Sequence, residues 1–275
     1  MRPIRTFAVA LAASTVLLGG CQSVKTTSAG AVGVERTQRM SSMVSEADMR
    51  QQAELAYRET LSKEQQKGTL NADSALTNRV RAIAKRLIPA TAAFRPEAAR
   101  WTWEVNVIRS DQINAWCMPG GKIAVYSGLV SKLQLTDDEI AAVVGHEIAH
   151  ALREHARERA SEQMGAQVLI GGATILLGGG QGTMDLGSAF YKAFFGLPNS
   201  RLHETEADRI GVELAARAGY DPRAAITLWQ KMASASGGGG TPEFLSTHPS
   251  ADTRTRDLQV YAQRVMPLYE QARRR

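Results

Sequence analysis

Val143-Val144-Gly145-His146-Glu147-Ile148-Ala149-His150 is the stretch on which the reading of this chain turns. Two histidines four apart lie about 40° from each other around a helix and about 6 Å along it, so both imidazoles reach one metal ion from one face. Glu147, directly after the first, then sits beside that metal, placed to take a proton from a bound water. The start of the helix is written in front of it. Thr136-Asp137-Asp138-Glu139 has the form of a capping box with acidic residues in the first turn. Ile140 to Val144 are small or apolar and bury the helix up to the first histidine. The pattern points to a catalytic metal. Structural sites are commonly thiolate-rich and closed, and the two cysteines, Cys21 and Cys117, form no such pair.

Upstream, Met1-Arg2-Pro3-Ile4-Arg5 is a basic leader start, and Phe7 to Leu18 is an apolar run too short to span a bilayer. Leu18-Gly19-Gly20-Cys21 resembles the bacterial lipobox, which implies removal of the leader and lipidation of Cys21. Gln22 after the cysteine implies, by the same resemblance, the periplasmic face of the outer membrane. Residues 22 to 45 are rich in Ser, Thr and Gly with little periodicity, which predicts a flexible tether with a reach of about 25–30 Å. The expected organisation is a leader over 1–20, Cys21 and its tether over 21–45, a catalytic domain over 46–266 and a basic tail over 267–275, frayed at Arg273 to Arg275.

The 275 residues, 44% apolar and 22% charged, suit one globular domain with a sizeable core. From Glu46 to Ile88 the pattern is helical, with stripes at Met49, Ala53, Ala56, Tyr57 and at Leu76, Val80, Ile83, Ala84, Leu87, broken at Lys67-Gly68-Thr69. Trp101 to Val107, Ile113 to Met118 and Lys122 to Tyr126 read as three strands. They predict a small antiparallel sheet beside the metal helix, hence an α+β fold that is mostly helical. Cys117 reads as buried and inert. Past His150 the helix is expected to run on through Arg159 with its charges in solvent, which turns His155 away from the metal. Ala166 to Leu177 is apolar but broken by glycines, and reads equally well as a flap or a surface-seeking segment. Ser200 to Arg217 predicts a long helix closed by Gly219, and a last helix is expected over about Ala251 to Val265. The formal charge of +6 falls by two when Arg2 and Arg5 leave with the leader. No arginine stripe interleaves with aromatics, which argues against nucleic acid.

A catalytic metal needs a third protein ligand and an open position. His203, Glu204, Glu206, His248 and Cys117 are candidates, and periodicity does not choose among them. Four stretches resemble the HtpX-like family of zinc peptidases, which includes the CAAX-processing prenyl proteases and soluble periplasmic members. They are Asn114-Ala115 with Pro119-Gly120-Gly121, His146-Glu147-x-x-His150, Glu204-x-x-Ala207-Asp208, and Thr247-His248-Pro249 with Arg254. The resemblance covers about residues 110 to 255. It implies a gluzincin-like domain binding one Zn²⁺ per chain through His146, His150 and Glu204. Asp208 would orient a histidine ligand, and Glu147 would act as general base. His248 and Arg254 would lie near the metal, stabilising an oxyanion or, for His248, closing the fourth position. The strand at Asn114 and Ala115 would receive an extended peptide. The substrates implied are unfolded or misassembled envelope proteins, reached from a lipid anchor. Two other classes compete: an envelope interaction factor with a closed or structural metal site, and a zinc hydrolase of non-peptide bonds.

Overall fold

The computed structural model describes residues 21–176, 185–236, 242–249 and 252–274. The leader, the glycines at 178–180 and 182, and the 237–240 loop lie outside them.

The fold begins earlier than its composition suggests. Strand β1 (Cys21–Val24) pairs antiparallel with β2 (Gln38–Ser41), with Cys21 opposite Ser41. Val32, Val34, Met40 and Val44 are buried between and after them. Backbone and side chains both tie the segment down: Ser28 N donates to Phe94 O at 2.8 Å and Val32 N to Glu213 Oε2 at 2.9 Å. The expected tether is therefore part of the domain. A few apolar residues and a set of buried polar contacts supply what its sparse periodicity did not announce.

Helix α1 (Glu46–Gln66) is capped by Ser45 and α2 (Ser74–Leu87) by Asp73, and the predicted stripes face inward. Strands β3 (Glu104–Ile108), β4 (Ala115–Met118) and β5 (Lys122–Tyr126) form the sheet in the order β3-β5-β4. The sheet is mixed rather than antiparallel. β4 and β5 form a hairpin through Pro119-Gly120-Gly121, whereas β3 runs parallel to β5. This leaves β4 at an edge, with β5 its only partner among the described residues.

After a short helix α3 (Ser127–Lys132) comes α4 (Asp137–Leu152), whose start holds the capping box as read: Thr136 accepts from Glu139 N while Glu139 accepts from Thr136 N. Every residue from Glu139 to Leu152 is buried. The helix does not continue through Arg159. It stops at Arg153, Glu154 turns with φ +53°, and α5 (His155–Leu176) starts on a new axis. The charged residues at this break are buried, not solvated: Arg153, Glu154, His155, Glu158 and Arg159 all lie inside. Most of the apolar 166–177 stretch continues α5, and among the described residues no helix is long and apolar enough to cross a membrane.

Helix α6 (Leu186–Tyr191) and a π-helical turn (Lys192–Gly196) lead to α7 (Arg201–Arg217), capped by Ser200. Helices α4 and α7 cross at two glycines. A Cβ on Gly211 would lie 2.9 Å from His146 N, and one on Gly145 would lie 3.0 Å from Gly211 O. Only bare backbone allows this approach. It brings the third-ligand candidate, one helix away in space and more than fifty residues away in sequence, up to the two histidines. Helices α8 (Ala224–Ala235), α9 (Glu243–Thr247) and α10 (Asp252–Arg273) close the domain. The last runs past the expected end at Val265, through Pro267, to Arg273, so most of the expected basic tail is helical; Leu268 and Tyr269 pack on the core.

Candidate metal centre

His146 and His150 point from α4 toward Glu204 on the first turn of α7 and His248 just after α9. All four are buried, and one donor atom from each lies within 4.8 Å of the others. His146 Nε2 is 3.1 Å from His150 Nε2, 3.3 Å from His248 Nδ1 and 3.5 Å from Glu204 Oε2. Glu204 Oε1 is 3.4 Å from His150 Nε2 and 3.0 Å from His248 Nδ1. Donors at about 2.0–2.1 Å around a tetrahedral metal stand about 3.3 Å apart, so these separations, with one or other Glu204 oxygen facing each histidine, are of the size such a shell requires. Nitrogen lone pairs crowded this way, around a carboxylate, fit a single metal ion. Glu147 lies beside the shell: its Oε1 is 3.5 Å from His248 Nε2 and has no hydrogen-bond partner. Burial raises its pKa, which favours a group able to take up a proton.

The alternatives for the third ligand separate in space. Glu204 is in the shell; Glu206 and His203 face the other way, and Cys117 is buried in the core with its thiol pKa pushed well up by burial. Asp208, one turn beyond Glu204, has Oδ1 3.0 Å from His146 Nδ1, where it directs the Nε2 lone pair inward. Burial works against a charged His146, but Asp208 and Glu204 carry its pKa up to about 9, so a metal competes there with a proton.

Arg254 touches the four-donor shell through Glu204 but does not line the cavity in front of it. It grips Asp208 through two bonds of 2.7 and 2.8 Å, reaches Glu204 Oε2 at 2.8 Å, and lies 3.7 Å over the Trp229 ring. It stands behind the carboxylate, away from the open side, because α10 packs on the back of α7. That places it as a positioning residue.

Sequence reading missed a second layer. His155 Nδ1 is 2.8 Å from His150 Nδ1, and His155 Nε2 is 3.0 Å from Glu206 Oε2. A carboxylate only accepts, so His155 donates from Nε2, accepts at Nδ1 from His150, and leaves His150 Nε2 bare toward the metal position. Glu206 is held in turn by Arg36 at 2.7 Å and by the fully buried Arg153 at 3.1 Å. Arg36 also binds Glu158 at 2.6 Å, and Glu158 accepts from Gln38 at 2.6 Å and contacts His203 at 3.1 Å. The helix break at Glu154 is what turns His155 back toward His150. A continuous helical phase would have carried it away, and the only hint in the sequence was the density of charge after His150.

The open side of the shell is a cavity lined by Glu147, His150 and His248 together with Trp116, Phe194 and Phe195. Asn114 and Ala115, at the head of the edge strand β4, line it too.

Residues 74–262 match the profile of peptidase family M48. The chain is 40% identical over 158 residues to the mitochondrial metalloendopeptidase OMA1 of Arabidopsis thaliana, covering 57% of this chain and 31% of that protein. It is 30% identical over 205 residues to the beta-barrel assembly-enhancing protease of Yersinia pestis, covering 71% and 40%. The same-named protein of Escherichia coli is 28% identical over 213 residues, covering 73% and 42%. The chain thus spans less than half the length of each of these relatives. Their names are not the HtpX and prenyl-protease names to which the four stretches pointed, but the metallopeptidase character is common to both. With the profile covering most of the chain and the four-donor shell inside it, the protein belongs to peptidase family M48.

Proposed function

We propose that this chain is a zinc-dependent endopeptidase of the bacterial envelope, anchored by a lipid on Cys21 and acting on unfolded or misassembled envelope proteins. One observation carries the reading: a buried carboxylate oxygen with no hydrogen-bond partner, Glu147 Oε1, stands beside four donors close enough to share one metal ion. His146, His150 and Glu204 would hold one Zn²⁺ per chain. Zinc bound there supplies a Lewis acid that polarises a carbonyl and acidifies water. Glu147 accepts the water's proton and passes it to the leaving amine. Asp208, His155 and Arg254 keep the ligands aimed. An extended peptide pairs with the free edge of β4 near Asn114 and Ala115, so that main-chain bonds carry much of the recognition. The envelope setting is supported by the lipobox-like stretch and by the two relatives named for beta-barrel assembly.

His248 supports a resting form of the same enzyme. Its Nδ1 occupies the fourth corner, and its ring stacks on Phe244 at 4.3 Å. Swung off that corner, the imidazole stays at the rim, where it can donate to a developing oxyanion.

The test is Glu147→Gln. Glutamine keeps the shape but accepts no proton, so casein cleavage should fall by at least about a hundredfold with bound zinc undiminished. Full activity with zinc retained would remove Glu147 from the chemistry and reopen the interaction-factor reading.

A further inference from the structure

Most charged side chains around the cavity are matched by a partner in contact. Arg254 answers Asp208, and Arg36 with Arg153 answers Glu158 and Glu206. Glu154, on the cavity wall, is bound by Arg95 at 2.7 Å and Arg157 at 2.9 Å. Glu147 and Glu204 together match one divalent cation. Arg159 remains. It lines the same cavity as Glu147 and His248, is only 7% exposed, and has no carboxylate at ion-pairing distance among the described residues. Its Nε donates to Ala193 O at 2.7 Å and its Nη1 to Asn199 Oδ1, both neutral acceptors. The other acid on the wall, Glu243, is an exposed rim residue.

Holding a guanidinium out of water without a counter-charge costs several kcal/mol (order of magnitude). Burial pulls the Arg159 pKa down to about 10 against the more distant pull of Glu204, Glu162, Glu147 and Glu158, which still leaves it charged at neutral pH. The two bonds it makes explain where the group sits, but amide and carbonyl partners would serve a neutral donor equally well. An anchored cation lining a substrate cavity, with no carboxylate in contact among the described residues, fits an anionic group arriving with the substrate.

We propose that Arg159 forms a carboxylate-binding subsite, and that the enzyme favours peptides placing a carboxylate within about two residues of the bond cut. The distance follows from Arg159 sharing one cavity wall with Glu147, since a peptide residue spans about 3.3 Å. Either an acidic side chain or the free carboxyl end of the chain supplies this chemistry. The aromatic flank of Trp116, Phe194 and Phe195 takes the neighbouring apolar side chain. This inference rests on the peptidase reading above.

The experiment uses quenched fluorescent peptides in matched pairs: Glu against Gln at each position within two of the cut, and free acid against amide at the carboxyl end. For the wild type, kcat/KM should favour the carboxylate member by about tenfold or more. Arg159→Gln should bring that ratio to near one, and Arg159→Lys should keep part of it. The ratio is the readout because loss of the Ala193 and Asn199 contacts lowers both members alike. A preference in the Glu/Gln pairs alone assigns the subsite to side chains; one in the acid/amide pair alone assigns it to chain ends. Equilibrium binding of the same pairs to Glu147→Gln, with and without Arg159→Gln, reads the subsite without turnover. A wild-type ratio near one in every pair, or a ratio that survives Arg159→Gln, overturns the proposal. Cleavage of no peptide by the wild type would instead strike at the peptidase reading, leaving the binding measurement to judge Arg159.

Discussion

Arg36→Met separates a docked N-terminal segment from a free tether. In the structure the Arg36 side chain is 26% exposed, while its partners Glu158 and Glu206 are 5% exposed. Removing one partner of a buried ion pair typically costs about 3–5 kcal/mol. Here part of the compensation survives, since Arg153 still holds Glu206 and Gln38 still donates to Glu158. The lower end applies, about 3 kcal/mol. For a domain of this size that is a fall in melting temperature of about 6–12 °C. Arg39→Met is the control: Arg39 is exposed in β2, three residues further on, and its loss should stay within about 0.5 kcal/mol. Calorimetry on the two variants beside the parent is the assay. The acid side adds a second reading. Burial opposes ionisation of Glu158, but His203, Arg36 and Gln38 outweigh it and hold its pKa well below the carboxylate range. The resulting stability is present above the unfolded value of about 4.3 and is lost as pH falls toward the folded one. In Arg36→Met the folded pKa rises, so less stability remains to be lost below about pH 4 and the gap to the parent narrows there. If Arg36→Met melts with Arg39→Met at neutral pH, the segment is not docked through this network.

His155→Phe removes the acceptor for His150 and should weaken zinc binding by about 10–100-fold in chelator competition; unchanged affinity would make His155 a packing residue only. Gly211→Ala places a methyl 2.9 Å from His146 N, and the overpacking should cost about 1–3 kcal/mol in denaturant melts, with zinc affinity falling as α4 and α7 part. Glu204→Ala should lose zinc by metal analysis; retention of zinc and full activity would take it out of the shell. Cys21→Ser should abolish lipid labelling and change membrane fractionation, and a parent protein that takes no label would end the lipoprotein reading.

The sequence was most informative where the determinants are local. The capping box at Thr136 and Glu139, the two histidines a turn apart and the inward stripes of α1 and α2 are each decided within one element. Glu204 was reachable only through resemblance, because its place in the shell depends on a helix crossing set by Gly145 and Gly211. What stayed hidden is what depends on distant partners. Residues 22–45 carry few apolar side chains, and they dock through Arg36 and Gln38 to residues 115 to 170 positions further on. His155 and the charges around it were misjudged for a different reason: one αL residue, Glu154, resets the helical phase, and glutamate is not a residue whose presence flags that turn. At the other end the last helix outruns its expected limit at Val265, absorbing Pro267 and continuing.

Strand β1 starts at Cys21 itself. With Cys21 acylated, as proposed, the domain has no leash. A free segment of 24 residues would have let the catalytic centre sweep a shell some 25–30 Å deep. A folded body of this size has a radius of gyration of about 18 Å, so its cavity instead works at a fixed stand-off from the bilayer, close to the surface and in a limited range of orientations. Anchored in that way, the enzyme would not forage through the compartment. It would cut what is brought to the membrane, and its substrate range would be set as much by where a chain stalls as by what the cavity recognises.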